Sequence, residues 1–145
     1  MTELSNSARA TSDLGLKLAK KSKGGEVYAL IGDLGSGKTC FAQGFARGLG
    51  IHRVVQSPSF ILMKLYELKG IRGIKKFCHV DVYRLNSTKE LLEVGLREYL
   101  GKKNTVTLIE WADKIKGVLL DHPTTYITFT WLEKNKRKID IKKSR

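Results

Sequence analysis

The stretch Gly32–Cys40, GDLGSGKTC, places three glycines, a lysine and a threonine between two apolar segments. Its spacing fits Gly-x-x-x-x-Gly-Lys-Thr, ending at Thr39, which is the pattern of a phosphate-binding loop. In such a loop, backbone N–H groups and the start of a helix point at phosphate oxygens. Because an ordered glycine costs roughly 1 kcal/mol relative to alanine, three within six positions indicate close approach to a ligand. A glycine-rich turn without a ligand is the alternative.

The lysine and the threonine of this loop carry its predicted chemistry. We expect Lys38 to reach the β- and γ-phosphates of a nucleotide, and the Thr39 hydroxyl to ligate Mg²⁺. Two flanking elements would position these groups. Val27–Ile31 is a short apolar run typical of a buried parallel strand, and apolar residues recur at helical spacing from Lys38 to Leu49. A strand before the loop and a helix after it are the context that the pattern requires.

Two carboxylates are candidates for the acid that hydrolysis needs beside Mg²⁺. Glu110 ends the apolar strand VTLIE, and parallel sheets bind ligands at the carboxyl ends of their strands. We expect Glu110 to hold the metal or to polarise the attacking water. Asp81, in CHVDVYRL, shares a strand face with His79 and Tyr83, opposite a core face. This polar face is either a wet cleft with Asp81 as general base or an ordinary solvated surface.

The neighbours of these acids have both functional and structural interpretations. Trp111 covers the site or packs in the core. Arg84 offsets phosphate charge or forms a surface salt bridge. Ser57 and Ser59, in SPSF, follow the loop-bearing helix where related enzymes sense the γ-phosphate, although two hydroxyls around a proline also suit a turn.

The remaining periodicity predicts the elements around these residues. Thr11 is expected to cap a first helix. A hairpin is predicted from Ser59–Leu68 and Lys75–Leu85, and a helix over Ser87–Leu100, with a strand at Val106–Glu110 after it. TTYITFTWL and KRKIDIK predict a closing hairpin. We therefore expect a three-layer α/β fold with a mixed, mostly parallel central sheet, helices on both faces and antiparallel hairpins.

Length and composition limit the possible classes of protein. The 145 residues, 41% of them hydrophobic, suit one domain, predicted over 1–145 with a basic and flexible tail at 136–145. No apolar run approaches the roughly 20 residues of a membrane helix, and no targeting segment is recognised, so a cytoplasmic protein is expected. Two dispersed cysteines predict no disulfide. A net charge of +13 suits contact with RNA but equally suits a solvated lysine-rich surface.

Five blocks together resemble one known family. GDLGSGKT, SPSF, HVDVYRL, ELLEVGLREYL and LIEWADK occur in this order. The set is similar to the bacterial TsaE family, also called YjeE, which are small ATPases required to make N6-threonylcarbamoyladenosine (t6A) in tRNA. The resemblance extends from Thr11 to the closing hairpin. It implies a P-loop ATPase fold with ATP or ADP and Mg²⁺ as cofactors.

The resemblance also implies roles for individual residues. The implied nucleotide contacts along the loop are Leu34, Gly35, Ser36, Gly37, Lys38 and Thr39. Mg²⁺ would be held by Thr39 and Glu110, activity would depend on Asp81 and Trp111, and Thr11 would lie near the nucleotide base. Family members usually have Ser-Pro-Thr where this chain has Ser57-Pro58-Ser59. Ser59 keeps the hydroxyl of that switch-like segment.

The implied partners are TsaD, which transfers the threonylcarbamoyl group to adenosine 37 of tRNA, and TsaB. The family member would bind that pair with ATP and reset it by hydrolysis, meeting tRNA through the complex; neither a membrane nor DNA is an expected partner. Two other classes stay open: a small-molecule P-loop kinase, and a nucleotide-gated, non-catalytic RNA-binding module. A GTPase is disfavoured because NKRK, Asn135–Lys138, lacks the aspartate of Asn-Lys-x-Asp.

Overall fold

The computed structural model describes residues 1–53, 55, 62–93 and 95–144. In these residues lie seven strands, four α-helices and two short 3-10 helices. The strands are β1 (Thr2–Ser5), β2 (Val27–Ile31), β3 (Met63–Ile71), β4 (Ile74–Asp81), β5 (Thr105–Glu110), β6 (Thr124–Glu133) and β7 (Lys136–Lys143). The α-helices are α1 (Ala8–Lys20), α2 (Lys38–Gly48), α3 (Thr88–Glu93) and α4 (Lys116–Leu119), and the 3-10 helices are Leu96–Glu98 and Ala112–Ile115.

All seven strands join one sheet in the order β1-β7-β6-β2-β5-β4-β3. The centre is parallel, because β2 pairs with both β5 and β6, and β5 pairs with β4. The pairings toward the two edges are antiparallel hairpins and the β1–β7 pair. This arrangement confirms the predicted α/β fold with a mixed sheet and antiparallel hairpins. Half of the six pairings are parallel, and these are the ones that surround the loop after β2.

Each face of the sheet covers its own hydrophobic core. On one face, α1 and α2 pack over an aromatic cluster that includes Phe41, Phe45 and Phe77. On the other face, α3, α4 and the 3-10 helices pack over a mainly aliphatic cluster. This second core includes Cys78, and burial raises the pKa of that thiol to about 12. Helices on both faces give the predicted three layers.

Helices α1 and α2 touch through glycines. A β-carbon on Gly44 would lie 1.8 Å from the carbonyl oxygen of Ser12, and one on Gly15 would lie 2.3 Å from the carbonyl oxygen of Phe41. Real side chains do not approach backbone so closely, so these positions accept only glycine without displacement of a helix. The contact fixes α2, and with it the loop that precedes α2.

Two predicted helix boundaries are wrong. Helix α1 starts earlier than expected, since Ser7 is its N-cap and accepts a hydrogen bond of 3.0 Å from the Ala10 N–H, whereas Thr11 lies inside the helix. The helix predicted over Ser87–Leu100 is divided into α3 and a 3-10 helix. Gly95 lies between them with φ 91°, a left-handed conformation that ends regular helix.

The closing hairpin predicted from TTYITFTWL and KRKIDIK is confirmed, so the competing expectation of a flexible basic tail at 136–145 is wrong for its larger part. Residues Lys136–Lys143 form β7, which lies inside the sheet between β1 and β6. Strand β1 has no counterpart in the sequence prediction, because four residues with one buried side chain carry too little periodicity. None of the described helices combines the length and apolar composition needed to cross a membrane.

Candidate functional site

The loop Gly32–Thr39 connects β2 to α2 at the carboxyl end of the parallel strands. Gly37 is the N-cap of α2 with φ 108°, a left-handed conformation that suits glycine. No described side chain makes a capping hydrogen bond there, so the first N–H groups of α2 are not engaged by a cap. A helix start of this kind, following a glycine-rich loop, is an anion-binding arrangement.

Lys38 lies against the oxygen atoms of its own loop. Its Nζ donates to the carbonyl oxygens of Gly32 (2.5 Å) and Asp33 (2.8 Å) and approaches Ser36 Oγ at 3.3 Å. It also lies 3.9 Å from the ring centroid of Trp111, a cation–π contact. Burial lowers the pKa of Lys38, and the carboxylates of Glu110 and Asp33 partly offset that effect. A phosphate group would offer the ammonium group stronger acceptors than these neutral oxygens.

The ends of β4 and β5 bring the two predicted acids together. Asp81 and Glu110 are register partners in the parallel pair, so their side chains leave the sheet at the same edge. Glu110 Oε1 accepts a hydrogen bond of 3.1 Å from Thr39 Oγ1. Asp81 Oδ1 accepts one of 2.9 Å from the Tyr83 N–H. Both predicted metal ligands are therefore in contact, and Asp81 stands beside them.

A cavity of about 420 Å³ lies between the loop and these strand ends. Its size is within the range of small-ligand sites. It is lined by Leu34, Gly35, Gly37, Lys38, Thr39, Cys40, Asp81, Tyr83, Arg84, Glu110 and Trp111. The structure thus brings most of the predicted site residues to one cavity, including Arg84, which the sequence left open between two roles.

Some predicted site residues lie elsewhere. Ser36 is a buried residue of the loop, and its hydroxyl contacts Lys38. Thr11 is 1% exposed and bonded to Ser5 Oγ at 2.6 Å, so it lies behind the loop rather than in the cavity lining. Its contact with a nucleotide base stays a prediction. Ser57 and Ser59 lie outside the described residues.

Of the two interpretations of this face of β4, the solvated surface is wrong, whereas Asp81 does line the cavity. Alternation holds, since Cys78, Val80 and Val82 all belong to the aliphatic core. However, His79 is 1% exposed and Asp81 4%, because their face of the sheet is covered by the core under α1 and α2. Only Tyr83, beyond the strand end, is substantially exposed. His79 is therefore an interior group behind the site, and Asp81 lies at the base of the cavity.

Sequence reasoning missed Arg137 of β7. Its Nη2 donates to the carbonyl oxygen of Gly35 at 3.2 Å, and its Cδ and Nε would lie 3.2 Å from a β-carbon on Gly37. The sequence signal that could have identified Arg137 is the alternation in KRKIDIK. It puts Arg137 on the same strand face as the buried Ile139. Arg137 ties the closing hairpin to the loop.

The oxygen atoms of Thr39 and Glu110 suit Mg²⁺. This ion commonly takes one or two protein oxygens and completes its shell with water and substrate phosphates. The Thr39 hydroxyl and a Glu110 carboxylate oxygen already lie 3.1 Å apart at the cavity. Within the described ranges, no cluster of three or more His, Cys, Asp or Glu side chains offers an all-protein metal cage. The donor set fits a metal shared with a ligand.

Comparison with known proteins places the chain in a family. A sequence model described as "Threonylcarbamoyl adenosine biosynthesis protein TsaE" matches residues 5–139. The chain belongs to the TsaE family. TsaE of Treponema pallidum (strain Nichols) is 33% identical over 138 residues, which cover 95% of this chain and 97% of that protein. TsaE of Bacillus subtilis (strain 168) is 45% identical over 97 residues, 67% of this chain and 57% of that protein's length.

A solved structure supports the fold. The crystal structure of Bacillus subtilis YdiB matches with a TM-score of 0.77 and 32% sequence identity. The match covers 97% of this chain and 83% of that one. Both curated TsaE relatives carry the name "tRNA threonylcarbamoyladenosine biosynthesis protein TsaE". Membership of the TsaE family therefore rests on the sequence comparisons, and the structural comparison supports the α/β fold.

Proposed function

We propose that this protein binds and hydrolyses ATP as an accessory protein of t6A modification of tRNA, acting on the TsaD–TsaB pair. The pathway follows from the names of its relatives. One observation carries the chemistry: Lys38, Thr39 and Glu110 meet at one cavity beside a glycine-rich helix start. Groups of these kinds hold the phosphates and the Mg²⁺ ion of a bound nucleoside triphosphate.

Nucleotide binding would begin with the phosphates. Backbone N–H groups at the start of α2 are placed to donate to phosphate oxygens, and the dipole of α2 favours negative charge there. Lys38 would leave the carbonyl oxygens of Gly32 and Asp33 for the β- and γ-phosphates. The exchange is favourable because the ammonium group would then face negatively charged phosphate oxygens, which attract it more strongly than neutral carbonyl oxygens do.

The acids would serve the hydrolytic step. Thr39 and Glu110 would hold Mg²⁺, which as a Lewis acid stabilises charge on the transferring phosphoryl group. Asp81, one strand away, would orient the attacking water and accept its proton. Trp111 would cover the phosphates, since its ring already lies over Lys38. Exclusion of water on that side would strengthen each electrostatic contact.

The partners follow from the proposed pathway. TsaD and TsaB would bind the ATP-loaded protein, and hydrolysis would release or reset them, whereas tRNA would be met through that complex. The working place would be the bacterial cytoplasm, where tRNA is modified. The net charge of +13 is consistent with work near RNA.

A nucleotide-dependent pull-down tests this proposal. Tagged protein is incubated with TsaD and TsaB in the presence of ATP, ADP or no nucleotide, and captured partner is quantified. We expect capture to be greatest with ATP in the wild type, and to lose nucleotide dependence in Lys38→Ala. Lys20→Ala, which removes an exposed lysine on α1, is the matched control. Equal capture under all three conditions, or none, would contradict the proposal.

The same samples separate the two alternative classes. A small-molecule kinase would consume ATP only with an added acceptor and would ignore TsaD and TsaB. A nucleotide-gated RNA-binding module would retain RNA in the presence of ATP without turning ATP over. Release of phosphate from ATP and Mg²⁺ alone, together with capture of TsaD and TsaB, supports the ATPase of t6A modification over both.

A further inference from the structure

A buried histidine lies directly behind Glu110. His79 Nε2 and Glu110 Oε2 are 2.7 Å apart, and both residues are 1% exposed. They belong to neighbouring strands, β4 and β5, on the same face of the sheet. His79 does not line the cavity, so it reaches the site only through Glu110.

The two oxygen atoms of Glu110 have different partners. Oε1 accepts from Thr39 at the cavity, whereas Oε2 meets the imidazole in the protein interior. As a metal ligand, Glu110 would be a carboxylate that only accepts, which assigns the donor role in this contact to Nε2–H of His79. One oxygen is thereby held inward, and the other is left to face the threonine hydroxyl.

The imidazole itself is held in place by packing. Its ring stacks on Phe77 with a centroid distance of 5.8 Å and an interplanar angle of 16°. Its second nitrogen, Nδ1, is buried and has no hydrogen-bond partner among the described residues. A buried polar atom left unpaired costs free energy. This cost at Nδ1 indicates that the imidazole has a role at its other nitrogen, Nε2.

We propose that His79 is a positioning residue that fixes the Glu110 carboxylate for Mg²⁺, a role that rests on the proposed function. Groups that hydrogen-bond to metal ligands orient those ligands, and their loss typically costs 10–100-fold in metal affinity or activity. A purely structural pair makes a different prediction, because replacing one partner of a buried ion pair lowers stability through the other, now uncompensated, partner. Such a replacement would leave the metal dependence of nucleotide binding unchanged.

The variants separate hydrogen bonding from ring packing. His79→Gln places an amide nitrogen near the position of Nε2 and keeps the donor to Glu110. His79→Asn is equally polar but too short to reach that position, and His79→Phe keeps a ring without a donor. Thr107→Val is the matched control. Thr107 is fully buried on β5, lies on the opposite face from Glu110, and its hydroxyl has no partner among the described residues.

The measurement is the gain in ATP affinity that Mg²⁺ provides. Titration calorimetry with ATP is run in Mg²⁺ and again in EDTA, and thermal unfolding is recorded for every variant. We expect the Mg²⁺-dependent gain to fall about 10–100-fold in His79→Asn and His79→Phe. It should be nearly wild-type in His79→Gln and Thr107→Val. Affinity in EDTA should be equal for all folded variants.

Three results would overturn the inference. A wild-type gain in both His79→Asn and His79→Phe would show that Glu110 holds Mg²⁺ without the hydrogen bond from His79. An equal loss in Mg²⁺ and in EDTA would make His79 a structural residue only. Failure of His79→Gln to restore what His79→Asn loses would exclude the hydrogen bond as the cause. A wild-type protein that binds no ATP at all would instead refute the proposed function, together with everything that rests on it.

Discussion

The cavity has two walls of different construction. The loop wall, Gly32–Thr39, is mainly backbone, and its long cationic side chain, Lys38, is held by the oxygens of the loop itself. The strand wall consists of the side chains Asp81, Glu110 and Trp111 at the ends of β4 and β5. One wall depends on main-chain conformation, whereas the other depends on side chains held from the protein interior.

This difference separates binding from turnover. Backbone N–H groups and a lysine contact phosphates in the ground state and the transition state alike, so they chiefly supply affinity. Carboxylates beside the reacting phosphate act mainly on charge that develops during the reaction. Changes in the loop wall should therefore weaken binding, and changes in the strand wall should slow hydrolysis.

The largest expected effect is that of Lys38→Ala. The variant loses about two charge-assisted hydrogen bonds to phosphate, each worth roughly 1.5–3 kcal/mol, so ATP affinity should fall roughly 1,000-fold. Titration calorimetry of ATP against Lys38→Ala measures this loss. Lys20→Ala should bind as the wild type does. Unchanged affinity in Lys38→Ala would remove the loop wall from nucleotide binding.

Glu110→Ala should act on turnover more than on affinity. Metal stabilisation of the transition state is worth several kcal/mol, and each 1.36 kcal/mol is tenfold in rate, so hydrolysis should slow several-hundredfold. ATP affinity in EDTA should change little. Phosphate-release kinetics across a Mg²⁺ series would check both statements. A variant that hydrolyses ATP at the wild-type rate would show that the metal is held elsewhere.

Asp81→Asn tests the second acid of the strand wall. Asparagine keeps an oxygen for the Tyr83 N–H but cannot take a proton, and loss of a general base typically costs at least about 100-fold. We expect kcat to fall by about that factor while ATP affinity in Mg²⁺ stays the same. Single-turnover kinetics would separate the chemical step from product release. A loss of affinity without a loss of kcat would move Asp81 from catalysis to binding.

The smallest expected effect on the site comes from a change far from both walls. Gly44→Ala forces a methyl group onto the Ser12 carbonyl and should lower the free energy of unfolding by about 1–3 kcal/mol. Gly117→Ala, where no atom lies within 4 Å of the added carbon, is the control. Urea unfolding of both variants gives the comparison. If Gly44→Ala is as stable as Gly117→Ala, the α1–α2 contact does not fix the loop.

The loop wall was predictable from the sequence because it is local. Eight consecutive residues define it, and the flanking strand and helix are visible as apolar periodicity. Glu110 was identified because it ends a buried strand, and sheets bind ligands at that end. Asp81 was identified because it lies on the polar face of an alternating strand. What remained open was whether Asp81 faces water, since alternation does not tell which of two faces is covered.

The features that the sequence did not predict depend mainly on contacts between segments distant in the sequence. Arg137 meets the loop across about a hundred positions of sequence, through the order of strands in the sheet. His79 reaches Glu110 only because β4 and β5 pair in parallel in one register. Strand β1 and the cap at Ser7 are too short to produce periodicity. Sequence patterns predict elements, whereas these contacts are determined by how the elements pair.

A structure with a non-hydrolysable ATP analogue and Mg²⁺ would show how the loop meets the nucleotide. We expect phosphate oxygens within hydrogen-bond distance of Lys38 Nζ and of the backbone N–H groups between Gly35 and Thr39. Lys38 should have left the carbonyl oxygens of Gly32 and Asp33. A nucleotide bound elsewhere, or Lys38 still bonded to those two carbonyls with the analogue in the cavity, would contradict this expectation.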